Sequence, residues 1–563
     1  MTEFLFVFGL AIALAWPLGR YLAAIMRGAP MRGDRLFALL ERPLYRLLGV
    51  NPAQGMGWKT YVGAFLLSNL VLGLLVWLML MTQQWLPLNP NAAPNMRWDL
   101  ALHTAVSFLT NTNQQHYSGQ AQLSYLAQMS AIVGLQVITP MMGLALVVAT
   151  LRGLFGGRRQ VAKDEAADVG NFWADLIRPT VRLFLPLCLV LSVLLTWQGV
   201  PATLDGGPLA KPLDGAAQIS EQKIPLGPVA AMVAAKQLGT NGGGWYGPNS
   251  AAPLENPTPL SNLLETLAII LLPMSVVFMV GSLTGRAKLS ALIFACMLSM
   301  SLMSAGVALW SEGHSASSSD SALMEGKEVR FGADASALWA AVTTQTSNGS
   351  VNAMHDSLAP LTGMVSIANM LVNAIWGGVG CGLQQFLVYL LLSVFLAGLM
   401  TGRTPELLGR KIEAPEVKCL AVLILLQPLV ILGFTALTLL LPDLAGTSNP
   451  GAHAISQVLY EYTSAFANNG SGFEGLGDAS YWWNLTCVVA LILGRYPALI
   501  LPLIIAAMLA RKRVTPEGPG TLQIETPTFA LTLMAIIAIL TLLQFMPVLV
   551  LGPVADHLQF ITR

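Results

Sequence analysis

Four short polar stretches in an otherwise apolar chain carry the residue types that could do chemistry. They are Thr110-Asn111-Thr112-Asn113, Thr240-Asn241-Gly242-Gly243, Ser347-Asn348-Gly349-Ser350 and Asn468-Asn469-Gly470-Ser471. What they offer is oxygen: hydroxyls, amides, and peptide carbonyls that glycine lets point where other residues cannot aim them. Stacked carbonyls of this kind can replace the water shell of a monovalent cation without a full negative charge. Each stretch follows an apolar segment too short to span a bilayer: WDLALHTAVSFL, GPVAAMVAAKQLG, ASALWAAVTTQT and ISQVLYEYTSAFA. Any one of them alone reads as an ordinary turn. With asparagines 111, 241, 348 and 469 placed in line, the four recur at intervals of roughly 105 to 130 residues. An internal repeat of that kind points to one architecture used four times. In this alignment Thr112 stands where the other copies have Gly242, Gly349 and Gly470, so perfect four-fold rings are not expected.

The elements that must position these stretches are membrane helices. The chain has 563 residues, 54% of them hydrophobic and 10% charged, against about 25% charged in soluble domains. Its mean hydropathy is +0.63. A net charge of +1 gives no footing for nucleic acid or an acidic substrate. The five cysteines sit in or beside apolar runs and read as buried small hydrophobes. Spans of about 20 apolar residues are expected at 4–24, 60–82, 123–151, 180–199, 260–283, 289–310, 361–400, 418–442, 482–510 and 528–551. The fold class is therefore an all-α polytopic membrane protein with ten helices: four span–half-helix–span repeats around a pseudo-four-fold pore, plus one helix at each end. The repeats are expected at 60–151, 180–283, 289–400 and 418–510. They are flanked by an N-terminal span and basic loop (1–59) and a C-terminal span and tail (528–563).

Arginine and lysine concentrate in alternate loops. They include Arg27, Arg32, Arg35, Arg42, Arg46; Arg152, Arg158, Arg159, Lys163, Arg178, Arg182; Arg286, Lys288; Arg403, Arg410, Lys411; and Arg511, Lys512, Arg513. The positive-inside bias makes that side cytoplasmic and puts both termini outside. Glu3 precedes the first apolar run and arginines follow it, which suits a retained span rather than a cleaved signal. The half-helices then dip in from outside, and their C-terminal ends add negative partial charge at the polar stretches. The stretch 361–400 would be a helix of about 60 Å, twice the hydrocarbon thickness. Gly377, Gly378, Gly380 and Gly382 are expected to break it, and broken backbone at that depth must be buried or line a wet cavity.

Other residues carry candidate roles. Arg495 lies mid-span in LILGRYPALI, where a charge costs about 2.5–3.5 kcal/mol on insertion scales. It reads as a fixed cation below the filter, its alternative being a structural ion pair or a carbonyl-capping role. The glycine break reads as a loop closing the pore at the same depth. Gln115 is placed at the pore mouth. His355 and Asp356 could suggest a hydrolytic dyad but read better as outer-mouth structure, as do Glu255 and Asn256. Arg403, Glu406 and Arg410 read as a solvated or subunit-docking face.

The strings HTAVSFLTNTN, LGTNGGG, ENPT, MEGKE, RFG, MHDS, GGVG, GRTPE, LGRK, NNGSGF and LGPVAD resemble the potassium-binding (KdpA-type) subunits of Kdp potassium-transporting P-type ATPases. The four-fold plan resembles the wider superfamily of Trk, Ktr and HKT potassium transporters. The resemblance runs from the first span to the C-terminus. It implies a subunit that binds K⁺ from outside at the four stretches and binds no nucleotide. The ion would pass sideways to a separate catalytic P-type ATPase subunit, with a small single-span subunit and an accessory subunit completing the complex. The sequence agrees: it contains no GxxxxGK[ST] or DKTGT-type motif, and its longest expected cytoplasmic loop is 25–59. The alternatives are a self-sufficient Trk/Ktr-like channel or symporter, and an intramembrane hydrolase using His355.

Overall fold

Long runs of Leu, Ile, Val, Ala and Phe become helices, and short polar punctuation decides where they start and stop. The Thr258 hydroxyl accepts from Ser261 N at 3.0 Å, Pro259 occupies the first turn, and Gly285 ends the helix with φ 74°. Ser480 and Thr526 cap two later helices in the same way. The computed structural model describes residues 2–156, 168–213, 219–314, 324–516 and 522–562. Arg158, Arg159 and Lys163 lie outside the described residues.

In chain order the helices are α1 (Thr2–Arg27), α2 (Asp34–Leu47), α3 (Trp58–Thr82), α4 (Trp98–Leu109), α5 (Gly119–Gln122), α6 (Val133–Phe155), α7 (Phe172–Pro179), α8 (Leu185–Trp197), α9 (Val229–Leu238) and α10 (Pro259–Thr284). They continue with α11 (Ala287–Gly313), α12 (Gly332–Gln345), α13 (Pro360–Val372), α14 (Cys381–Met400), α15 (Ala414–Leu439), α16 (Pro442–Ala445), α17 (Ala452–Ala467), α18 (Tyr481–Ala510), α19 (Pro527–Leu549) and α20 (Ala555–Thr562). π-helical turns lead into α6 and join α7 to α8 and α19 to α20. Ten stretches are long and apolar enough to cross a membrane. Among the described residues the only sheets are two two-stranded hairpins, Leu209–Ala210 with Gln222–Lys223 and Glu406–Leu407 with Arg410–Lys411.

The expected spans are present with shifted ends. The third runs Ala127–Phe155 and the fourth Phe172–Trp197. The fourth starts well before residue 180 because Arg178 and Arg182, read as loop residues, are helical. Arg182 pairs with Glu41 at 2.5 Å and Asp34 at 2.8 Å, so its charge is matched within the fold. Those partners lie on α2, an amphipathic helix inside the expected 25–59 loop that carries exposed Leu36, Leu39 and Leu40. The stretch 361–400 is two helices, α13 and α14, separated by a turn at residues 373–380.

The core gathers around α6 and α10, the most buried of the ten spans. α1 lies along α10 at close range: a side chain at Gly19 would meet Ser275 O at 2.6 Å and Phe278 Cβ at 2.7 Å. Small residues permit such backbone approach where lipid supplies no hydrophobic driving force. α4, α9, α12 and α17 are the four short helices that precede the polar stretches, and they are almost wholly buried.

Candidate functional site

Each of these four helices ends by the same backbone manoeuvre. Asn111, Thr240, Ser347 and Asn468 take φ of 60°, 49°, 50° and 54°, the left-handed region. Two residues later a second positive φ follows: Asn113 (55°), Gly242 (68°), Gly349 (82°) and Gly470 (101°). The residue between them sends its N–H to the carbonyl five residues back. Thr112 N donates to Ser107 O (3.0 Å), Asn241 N to Lys236 O (3.1 Å), Asn348 N to Thr343 O (3.0 Å) and Asn469 N to Ser464 O (2.9 Å). Both features correct the alignment read from the sequence. Thr112, not Asn111, corresponds to Asn241, Asn348 and Asn469, and Asn113 fills the glycine slot. The physical reason is that asparagine enters the left-handed region more readily than most residues with side chains, so it can stand where the other copies have glycine. No β-branched residue occupies the glycine position, and Gln114 joins the first segment at the level of Gly243, Ser350 and Ser471.

The four segments pack in cyclic order. A Cβ at Gly242 would overlap the Asn348 carbonyl, one at Gly349 the Asn469 carbonyl, and one at Gly470 the Thr112 carbonyl. At the remaining joint a Cβ on Gly243 would stand 2.8 Å from Asn113 Cβ, and Asn111 Nδ2 donates to Thr240 O at 3.1 Å. First touches second, second third, third fourth, and fourth first, so the segments close around a common centre. The asparagine side chains face the scaffold. Asn348 Nδ2 donates to Lys236 O (3.1 Å) and Asn469 Nδ2 to Thr343 O (2.9 Å), each reaching the end of the preceding short helix. Asn241 Nδ2 donates to Gln136 O at 2.8 Å. Ser350 N and Ser471 N donate to Asn348 Oδ1 (2.9 Å) and Asn469 Oδ1 (3.1 Å). Thr110 Oγ1 bonds Thr112 Oγ1 at 2.8 Å.

With the N–H groups of Thr112, Asn241, Asn348 and Asn469 committed to the scaffold, the carbonyls can be counted. Among the described residues those of Thr112, Asn241, Asn348 and Asn469 accept no hydrogen bond, although all four residues are buried. At the adjacent level Asn113, Gly349 and Gly470 are likewise free, while Gly242 O accepts from Asn249 Nδ2 at 2.6 Å. Buried backbone groups are almost always paired, so free carbonyls on four strands around one centre are a strong departure. Four helix C-termini add partial negative charge there. Such a cage suits a dehydrated monovalent cation.

The glycine turn lies directly beneath. Val379 N donates to Thr240 Oγ1 at 3.0 Å, and Trp376 N and Gly377 N both donate to Gln345 O (3.1 and 2.8 Å). Gly377 (φ 57°) and Gly380 (φ 86°) bend the chain, and Gly377 packs so tightly on Gly382 that neither has room for a Cβ. Gly378 faces Thr240 Oγ1, which a Cβ there would approach to 3.3 Å. Arg495 is 5% exposed and lines a small cavity with Asn111, Ser347, Asn468, Gly378 and Cys381. Its Nη1 donates to Cys381 Sγ at 2.8 Å. Among the described residues it has no carboxylate partner, so the structural ion-pair alternative does not hold.

Other residues take structural places. Gln115 bridges the first two segments: its Nε2 donates to Gly244 O (3.0 Å) and its Oε1 accepts from Gly244 N (2.8 Å). His355 Nδ1 bonds Tyr460 OH, which bonds Ser471 Oγ, both at 2.8 Å. Burial holds this imidazole down at about 4, and its partner is a phenol rather than a serine, which leaves the hydrolase alternative without its dyad. Asp356 instead pairs with His453 at 2.9 Å. Asn256 Nδ2 donates to Asn262 Oδ1 at 3.1 Å. Arg410 is no docking face: it is buried, and its Nη1 donates to Leu154 O at 2.7 Å, capping α6.

Sequence reasoning missed two of the charged residues behind the ring, Lys236 and Glu461. Lys236 pairs with Glu255, and Gln114 Nε2 donates to Glu461 Oε1. Lys236 and Glu461 sit inside short apolar helices, and a charge in such a segment was the available signal. Glu461 also belongs, with His116 and Cys487, to a buried group whose ligand atoms lie within 4.8 Å of one another and could hold a metal.

The family model for the potassium-transporting ATPase A subunit (KdpA) matches residues 5–558. The chain belongs to this family. It is 46% identical over 550 residues to the potassium-transporting ATPase potassium-binding subunit of Pseudomonas putida, covering 96% of each chain. To the protein of the same name from Bacteroides fragilis it is 42% identical over 566 residues, covering 98% of each. Among solved structures it is similar to the potassium transporter TrkH from Vibrio parahaemolyticus, with a TM-score of 0.49 and 14% identity over 88% of this chain and 98% of that one. Family membership and ten apolar helices make the chain a multi-pass membrane protein of a potassium-transport family.

Proposed function

We propose that this chain is the potassium-binding subunit of an ATP-driven K⁺ import complex, and that its four polar segments form the selectivity filter. One observation carries the reading: the buried, unpaired carbonyls of Thr112, Asn241, Asn348 and Asn469 around a common centre. These oxygens, with those of Asn113, Gly349 and Gly470, stand in for the water K⁺ leaves behind. The turn at 377–382 and the Arg495 guanidinium lie below the segments. Backbone and a fixed positive charge there oppose straight passage, so the ion leaves sideways. A separate P-type ATPase subunit receives it and carries out the ATP chemistry, and this chain binds no nucleotide. A small single-span subunit and an accessory subunit complete the complex. The basic loops face the cytoplasm, both termini face outward, and the complex lies in the bacterial inner membrane.

The test is rubidium flux into liposomes, measured with the chain alone and with the assembled complex. Flux that needs the partner and ATP is expected. Robust flux through the chain alone would instead make it a self-sufficient channel or symporter.

A further inference from the structure

The carbonyl count singles out the second segment. At the level of Asn113, Gly349 and Gly470, Gly242 alone has its carbonyl occupied among the described residues, by Asn249 Nδ2 at 2.6 Å. Asn249 is held in turn by Lys236, whose Nζ donates to Asn249 Oδ1 and to Ser250 Oγ (2.8 Å) and pairs with Glu255. Glu255 Oε1 accepts from Tyr246 N at 2.9 Å. Lys236 and Glu255 are both 0% exposed. An ammonium group only donates, so it fixes which way the Asn249 amide faces: oxygen to Lys236, nitrogen to Gly242. The backbone of Lys236 grips the same segment from its other side. Its carbonyl accepts from Asn241 N (3.1 Å), Gly242 N (3.2 Å) and, across the joint, Asn348 Nδ2 (3.1 Å).

We infer that Lys236 and Asn249 are positioning residues that set the ion preference of the filter, an inference that rests on the potassium-filter reading above. Asn249 pins the Gly242 peptide, and the pinned Gly242 holds the Asn348 carbonyl in place, since the two are in such contact that a Cβ would overlap it. The Asn348 carbonyl is one of the four at the complete level. Lys236 and Asn249 act through the backbone they hold, and neither needs to touch the ion. The same bond takes the fourth carbonyl out of the adjacent level, leaving three there beside four.

Asn249→Asp tests this at constant volume: it keeps a partner for Lys236 and presents oxygen where Gly242 O meets a donor. Asn249→Ala removes the bond outright. Rubidium binding and its competition by Na⁺ are measured on the purified, assembled complex, together with the KM and kcat of K⁺-stimulated ATP hydrolysis. The expected result in both variants is a KM for K⁺ raised tenfold or more, stronger competition by Na⁺, and kcat within twofold of wild type. The double variant Lys236→Met with Glu255→Gln, which removes both members of the buried pair together, should do the same. A purely structural role would lower thermal stability and yield without separating KM from kcat. If Asn249→Ala fails to assemble, Asn249→Asp carries the test. Rubidium affinity within twofold of wild type and unchanged Na⁺ competition in the assembled Asn249 variants would overturn the inference. Gly242→Asp, measured in parallel, separates the two levels of argument. If it weakens binding while the Asn249 variants are silent, only the relay is wrong, and if it too is silent, the filter reading falls with it.

Discussion

Gly349→Ala is the sharpest probe of the carbonyl ring. Gly349 sits at φ 82°, and a Cβ there would run into the Asn469 carbonyl and Gly470 Cα. Two costs add. An L-residue in the left-handed region costs about 1–2 kcal/mol, and the Asn469 carbonyl must move out of its level to make room. If the segment relaxes when empty and must be forced back to hold the ion, the strain appears as lost affinity. Since 1.4 kcal/mol is a factor of ten, the backbone term alone predicts a K⁺ half-saturation roughly 5- to 30-fold higher, with the carbonyl shift adding to it. The assay is K⁺-stimulated ATP hydrolysis by the assembled complex, with rubidium binding as a direct check. Gly285→Ala is the matched control. Gly285 has φ 74°, has open space within 4 Å of where a Cβ would stand, and ends α10 away from the ring. It should cost stability on the order of 1 kcal/mol and leave the K⁺ dependence alone. A Gly349→Ala complex with wild-type K⁺ dependence would refute the reasoning, because the carbonyl it must displace would then not be binding anything.

Asn348→Asp and Asn469→Asp keep the acceptor for Ser350 N and Ser471 N but lose the donor to the preceding short helix. Each should lower the stability of the complex by about 1–3 kcal/mol, the cost of a buried unmatched group, read as a lower melting temperature. Arg495→Met removes the unpaired cation beneath the segments and should open a rubidium leak in liposomes without ATP, and a tight, fully coupled variant would speak against its role as a barrier. His453 lies between Asp356 and Asp556 at 2.9 and 2.8 Å. Burial opposes its charge, but the two carboxylates outweigh burial and raise it to about 9. The folded form therefore holds this proton more tightly than the unfolded chain, whose imidazole titrates near 6.5. Its stabilisation, about 3 kcal/mol before solvent screening of this partly exposed site reduces it, is complete below that pH and is lost as pH rises toward 9. The melting temperature should fall across that window in wild type and stay flatter in His453→Gln.

Apolar run length made the helices legible, and the shortness of four such runs made α4, α9, α12 and α17 legible almost to the residue. The alignment of the first segment was not legible, and the reason lies in what the ring demands. The ring asks for two left-handed residues separated by one whose N–H turns back onto the helix, and side-chain names report that demand only loosely. Asn111 and Asn113 satisfy it where the other segments use Thr240, Ser347 or Asn468 and then glycine, so matching asparagine to asparagine slipped the first copy by one place. Arg495 and the glycine turn announced themselves by breaking a rule of the membrane interior. Lys236 and Glu461 broke the same rule, but their partners lie on other segments of the chain: Glu255 for the first, Gln114 and His116 for the second. A sequence shows that a buried charge must be paired without showing by what. The same accounting explains why the candidate site can be recognised at all. A membrane interior punishes every unmatched backbone group, and this fold uses asparagine amides, serine hydroxyls and helix ends to match the N–H groups of its polar segments. Against that background, the four carbonyls that have no donor among the described residues mark the position we propose for the cation.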